Sequence, residues 1–262
     1  LPRGGTKMGK TQSLNCFSHH APKLDWMEQY FTFKNEFKDK NTLGSQMFSF
    51  FKRFLKDADL LDDNGFTRFA EIISDIGLDE NLSWALMLAN LAYNPQIGWY
   101  ICNISFGETM SKEYVCSMLV DSGADEKWVN DVWSSLARIL VLPFSHVGLG
   151  EMVKEKNKAV ALYRTGWQVP DERAILYSLY QFSEKCGNFK QFTLTRLLDT
   201  SIESDGISPT QIFGLNRDTM EKILNGLTFN YPDLIEARFT LGLDNITLKS
   251  DKSAEEILNE LF

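Results

Sequence analysis

The stretch from Phe192 to Leu248 constrains the fold more than any other part of the chain, because short helical patterns in it run directly into two alternating segments. Leu194, Leu197 and Leu198 are spaced as one helical face, Asp205-Gly206 marks a turn, and Ser208-Pro209 offers a capping hydroxyl followed by proline at the first helical position. Asn216 is placed to cap a helix over Arg217–Asn225 that Gly226 would end, with Met220, Ile223 and Leu224 on its apolar face. Next, Ile235, Ala237, Phe239 and Leu241 alternate, and Gly242-Leu243-Asp244-Asn245 reads as the turn of a β-hairpin. Alternation buries one face of that hairpin, so Phe239 is expected fully inside, against Met220, Ile223 and Leu224.

The same order of helices and then a hairpin recurs upstream. Residues 111–123 read as a short helix ended by Gly123, and residues 124–142 as a longer one with Trp128, Val129, Val132, Leu136 and Ile139 on one face and Pro143 closing it. Residues 149–167 read as two strands around Lys154–Lys158, with Lys156-Asn157-Lys158 at the tip. Helix, helix, hairpin is the order of a winged helix-turn-helix. Asp125, Glu126 and Asp131 at the start of its second helix would repel phosphates, which favours the fold without DNA binding.

The amino-terminal third is helical throughout. Residues 1–13 read as a linker or boundary, and residues 16–26 as a loop entering a helix over Leu24–Phe37. Cys16, His19 and His20 invite a metal reading, but adjacent histidines are expected to point apart, and no second ligand pair stands nearby. Thr42 can cap a helix running to Leu55, whose polar face carries Lys52, Arg53 and Lys56. Asp62-Asp63-Asn64-Gly65 turns the chain before a helix over Thr67–Ile76; strand residues here would suit a winged helix, and a plain helical bundle fits nearly as well. Residues 83–93 are apolar nearly all round and predict a buried central helix ended by Asn94-Pro95. Residues 97–106 follow as helix, and Trp84 and Trp99 are assigned to the core. Pro170-Asp171-Glu172 opens a helix that Gly187 caps, and residues 253–262 form a closing helix.

The fold class is therefore mainly α: a helical domain with two or three small β-hairpins in winged-helix-like units. The expected division is a boundary over 1–13, a helical unit over 14–110, and helix–hairpin units over 111–170 and 171–262. A net charge of −8 argues against a dominant nucleic-acid or anionic-membrane surface. The four cysteines form no CxxC pair, which suits reduced thiols in a cytoplasmic protein. No apolar run reaches membrane-spanning length, and the first ten residues lack the apolar core of a signal peptide. The opening on Leu1 leads us to expect a segment of a longer protein.

No catalytic signature emerges. Asp57, Asp59, Asp62 and Asp63 lack the ligand spacing of a calcium loop and read as a solvated acidic turn. His146 has no nucleophile motif nearby, and Gly148-Leu149-Gly150 precedes a strand where a nucleotide fingerprint would precede a helix. We therefore assign no catalytic, cofactor-binding or metal-binding residue. The recurring arginines default to surface salt bridges, and Lys52, Arg53, Arg217 and Arg238 are the candidate contacts for a nucleic acid or partner protein.

Five phrases, NCFSHHAPKLDWMEQYF, SWALMLANLAYNPQIGWYI, LYSLYQFSEKC, SIESDGISPTQIFGLNRDTMEKILNGL and YPDLIEARFTLGLDNITL, together resemble the C-terminal region of large bacterial proteins of the phosphoadenosine phosphosulfate (PAPS) reductase family. That resemblance implies that a nucleotide-handling α/β domain lies upstream of Leu1. It carries a reductase or sulfotransferase label without the chemistry; no glycine-rich phosphate loop or iron–sulfur cysteine cluster is legible here. The helix-plus-hairpin segments also resemble a bacterial family encoded near DNA-modification systems. Two functions follow as expectations. The first is a cofactor-free accessory domain that packs on or regulates the upstream domain, or binds another protein, and has no activity alone. The second is a winged-helix nucleic-acid module that targets the upstream sulfur chemistry. Neither involves a membrane.

Overall fold

Side chains that accept hydrogen bonds from the first helical amides fix where most helices begin. The computed structural model describes residues 13–201, 204–240 and 243–262. In order, it places α1 over Leu24–Phe33, α2 over Phe37–Lys40, α3 over Ser45–Asp57, α4 over Arg68–Ile76, α5 over Asn81–Leu91 and α6 over Pro95–Asn103. Then come β1 (Thr109–Ser111), α7 (Lys112–Asp121), α8 (Val129–Ile139), β2 (Glu151–Glu155) and β3 (Lys158–Tyr163). The last part holds α9 (Glu172–Lys185), β4 (Gln191–Thr193), α10 (Leu194–Leu198), α11 (Pro209–Phe213), α12 (Arg217–Asn230), β5 (Ile235–Thr240), β6 (Leu243–Leu248) and α13 (Ala254–Leu261). Thr67, Asn94, Ser111, Asp171, Thr193, Ser208, Asn216 and Ser253 cap α4, α6, α7, α9, α10, α11, α12 and α13 with their side chains. Each such cap is worth about 1 kcal/mol. The architecture is mainly α with two small antiparallel sheets.

Several boundaries differ from the sequence reading. The first helix breaks at Lys34, whose φ is +48° and whose amide closes on Tyr30 O, before Phe37 resumes the helical course. Thr42 caps nothing; the Asn41 side chain bonds Phe37 O, Lys38 O and Leu43 N, so residues 41–43 form a turn and α3 starts after Gly44. Trp128 is not on the buried face of α8: Asp125–Trp128 closes as a turn ahead of the helix and leaves the indole 46% exposed. Gly226 does not end α12, which continues to Asn230. Its missing side chain admits the Glu172 carboxylate, whose Oε1 lies 2.0 Å from where a Cβ would stand. Between α3 and α4 only an isolated bridge, Leu61 to Phe66, forms in place of a strand pair.

Both sheets have three strands and the same plan. The strand order is β1-β3-β2 in the first and β4-β6-β5 in the second, all antiparallel. In each, a short strand following a helix pairs with the last strand of a later hairpin. The β2–β3 tip is Lys156-Asn157, both at positive φ (+45° and +66°), a two-residue turn whose twist matches the strands it joins. The β5–β6 hairpin pairs Ile235 with Leu248, Ala237 with Ile246 and Thr240 with Leu243, so Leu243, Asp244 and Asn245 belong to a strand. This register puts four buried side chains on one face, which a turn over 242–245 would not do. Leu241 lies outside the described residues. Phe239 is half-buried, short of the full burial that alternation predicts.

One continuous core runs from Cys16 to Leu258, with α5 at its centre and Trp84 packed edge-on against Phe144 at 4.9 Å. Arg164, just past β3, is completely buried. Its guanidinium donates to Ile101 O (2.7 Å) and Ile104 O (3.3 Å) at the end of α6, to Gln211 O (2.6 Å) and Ile212 O (3.1 Å) of α11, and to Gly148 O (3.3 Å). The Phe106 ring covers it at 4.0 Å. One cation thus satisfies carbonyls at two helix ends that would otherwise be buried without donors.

Arg164→Met is expected to cost about 3–5 kcal/mol, because the carbonyls stay buried and lose their donor. Ile235→Ala should cost about 2–5 kcal/mol and Phe239→Ala less than a fully buried phenylalanine would. Arg238→Ala should stay within about 0.5 kcal/mol. Urea unfolding of the four variants checks the order; an Arg164 variant as stable as the Arg238 variant would refute the assignment.

Candidate functional site

The four cations singled out from sequence do not assemble into one surface. Lys52 and Arg53 are neighbours on α3 and both exposed. Arg217, at the start of α12, donates to Thr195 Oγ1 (2.8 Å) and pairs with Asp244 at 3.6 Å. Asp244 lies opposite Phe239 on the helix-covered face of its sheet, whereas Arg238 lies opposite Asn245 on the outer face, paired with Glu236 at 2.8 Å. The sheet therefore separates Arg217 from Arg238. Both of these charges are already met by carboxylates.

The acidic turn is likewise dispersed. Asp63 pairs with Lys56 at 2.5 Å, and Asp62 accepts from the amides of Asn64 and Gly65 at 2.7 and 2.8 Å. Among the described residues no group of three or more His, Cys, Asp or Glu is placed to hold a metal ion. His19 and His20 do not point apart as expected; their rings pack 4.0 Å apart, and His20 packs on Phe50 at 5.1 Å. The His20–Phe50 contact accompanies this packing in place of the splayed arrangement. Burial pushes the Cys16 thiol up, against the pull of the Arg53 guanidinium 3.6 Å away. Gly148 and Gly150 hold positive φ so that the loop can pass Phe213 O and Tyr163 O, which assigns Gly-Leu-Gly to packing. His146 is exposed in the turn before them.

The most organised polar surface is a cleft of about 390 Å³ where α3, α5 and α6 meet, lined by Arg53, Asp57, Asn90, Tyr93 and Asn94. Asp57 Oδ2 accepts from Arg53 Nε at 3.3 Å and from Asn94 Nδ2 at 2.7 Å. Behind it, Asn90 Oδ1 takes hydrogen bonds from Tyr177 (2.7 Å) and Gln181 (2.5 Å), while Asn90 Nδ2 reaches Ala58 O at 3.2 Å. Gln181 Oε1 is buried with no partner among the described residues. Burial drives the Tyr93 and Tyr177 phenols far above their ordinary range, so both are neutral donors and acceptors, not bases. Of this cleft, the sequence reading reached only Arg53 and Asp57. Asn90 was detectable as a polar amide within the apolar run over residues 84–91 of α5.

Apolar groups also reach solvent. Phe229 (85% exposed) and Phe189 (70%) stand out on the unit that carries the second sheet, and Val169 (83%) in the segment between β3 and α9. Tyr114, Val141 and Trp128 are exposed around the first. No family model, curated protein or solved structure matches the chain. No helix among the described residues is long and apolar enough to cross a membrane.

One carboxyl departs far from its ordinary behaviour. Asp59 is exposed as a residue, yet partial burial of its carboxyl, helped by Glu255 and Asp62, raises its pKa from 3.8 to about 6. The folded state then holds the proton more tightly than the unfolded chain, so this group's contribution is largest below pH 4 and is lost as pH rises through 6. Asp59→Asn should therefore raise the melting temperature at pH 7.5 and change it little at pH 4. Asparagine tolerates the φ of +60° found at this position. An equal gain at both pH values would assign the effect to the turn and not to the charge.

Proposed function

We propose that the chain is a non-catalytic accessory module of two winged-helix-like units that docks on another protein domain. The winged-helix reading rests on the shared order of helix, short strand, helices and hairpin, with the short strand paired to the hairpin's last strand. In that reading α12 occupies the place of a recognition helix. The observation that carries docking is Phe229, whose ring leaves the last turn of α12 almost entirely in solvent. Exposed aromatic groups of this kind act as anchors in protein interfaces. The charges of α12 favour phosphate little: Arg217 is paired, and Asp218 and Glu221 offset Lys222. The partner that the sequence resemblance implies is the nucleotide-binding domain of a PAPS reductase-like protein.

A second reading, nucleic-acid binding, is favoured by the β2–β3 hairpin. Lys154, Lys156 and Lys158 are exposed at its tip, and none forms an ion pair among the described residues. Three phosphate contacts would make affinity for duplex DNA fall about forty-fold between 50 and 200 mM salt.

The two readings separate in one set of titrations. With the nucleotide-binding domain supplied as a separate chain, Phe229→Asp should weaken association at least about tenfold, as loss of an interface anchor does, while leaving the melting temperature unchanged. Undiminished association would remove the docking role from this helix. Fluorescence anisotropy with duplex DNA should show no steep salt dependence; a steep one abolished by Lys154→Glu, Lys156→Glu and Lys158→Glu together would favour the second reading. The chain alone is expected to show no sulfonucleotide turnover.

A further inference from the structure

We propose that the cleft between α3, α5 and α6 binds a free α-amino acid by its ammonium and carboxylate groups. This site is independent of the docking surface. An Arg–Asp pair one turn apart on a helix is ordinarily a solvated salt bridge of little consequence. The Arg53–Asp57 pair differs in being held from behind. Asn94 is buried, its Oδ1 is fixed by the amides of Gln96 and Ile97 at 2.9 and 3.1 Å, and its Nδ2 donates to Asp57 Oδ2. On the other side, the Arg53 guanidinium is steadied by the Cys16 sulfur. The two charges are thus oriented before any ligand arrives, the condition under which polar groups bind selectively.

What remains open on this pair is complementary to one kind of head group. Among the described residues Asp57 Oδ1 accepts no hydrogen bond and Arg53 Nη1 donates none. Asp57 Oδ1 and Arg53 Nη1 are therefore the open positions of an ion pair that lines the cleft. A ligand can satisfy both at once only if its own cation and anion are equally close. An α-amino acid carries them on a single carbon. A simple anion meets repulsion from Asp57, and a simple amine meets it from Arg53. Beyond the charges, Tyr93 and Pro95 offer a wall for a side chain, with Lys185 Nζ 5.1 Å from the centre of the Tyr93 ring.

The test is isothermal titration of the whole chain with each proteinogenic L-amino acid in turn. For any that binds, the amine lacking the carboxylate and the hydroxy acid lacking the ammonium are titrated as well. At least one amino acid should bind, and both of its analogues at least tenfold more weakly. Asp57→Asn and Arg53→Gln should each weaken binding at least tenfold at an unchanged melting temperature. No binding up to 10 mM by any amino acid would overturn the proposal. So would equal binding of either analogue, which would mean that only one charge is read. The analogue series uses the unaltered chain, so the test holds even where a variant fails to fold.

Discussion

The buried guanidinium of Arg164 is the contact on which the arrangement of the first sheet depends. Among the described residues it has no carboxylate partner; five backbone carbonyls from the end of α6, α11 and the loop at Gly148 receive it instead. Burial lowers its pKa to about 10, against the opposing pull of Tyr100 and Cys102, still well above neutrality, so it stays charged. Oriented carbonyl dipoles at two helix ends take the place of a counter-ion. The result is a joint that fixes the end of β3 to the end of α6 and to α11. The first sheet is thereby tied to the helical core.

Much of this fold was legible in the chain. Asn94-Pro95, Ser208-Pro209, Pro170-Asp171 and Asn216 each start a helix where their chemistry says, because capping is decided within four residues. The hairpins were legible from the alternation of Ile235, Ala237 and Phe239 on β5 and from the Lys-Asn-Lys tip of β2–β3, whereas the first residues of β6 were read as turn. β1 and β4 were not: three residues carry no readable period, and each exists only because a distant strand offers it partners. Gly226 misled for a related reason. Its role is set by Glu172, fifty-four positions earlier, and local rules see only a helix breaker. Arg164 was read as one more surface arginine, since nothing in its neighbourhood announces burial.

The cleft shows the same limit from another side. Arg53 and Asp57 were visible as charges, but the groups that orient them are Asn94 at the start of α6 and Cys16 in the segment before α1. Asn90 and Asn94 serve helix geometry on one side and the cleft on the other. Residues with local structural work are easily assigned to that work alone. The four-cation surface expected from sequence failed because its members lie on different elements, and two of them on opposite faces of one sheet.

The edges of the two sheets restrict how this protein can meet another. Each sheet has one outer strand of only three residues, too short to template a further strand. Of the other outer strands, β2 is bulged between Val153 and Lys154 and carries alternating charges, while on β5 the Ala237 amide is occupied by Thr228 Oγ1 at 2.9 Å. Backbone pairing with a foreign chain is thereby disfavoured at these rims. Recognition is left to side chains on helices and hairpin tips, and a partner must read their shape and charge where it could otherwise have borrowed a ladder.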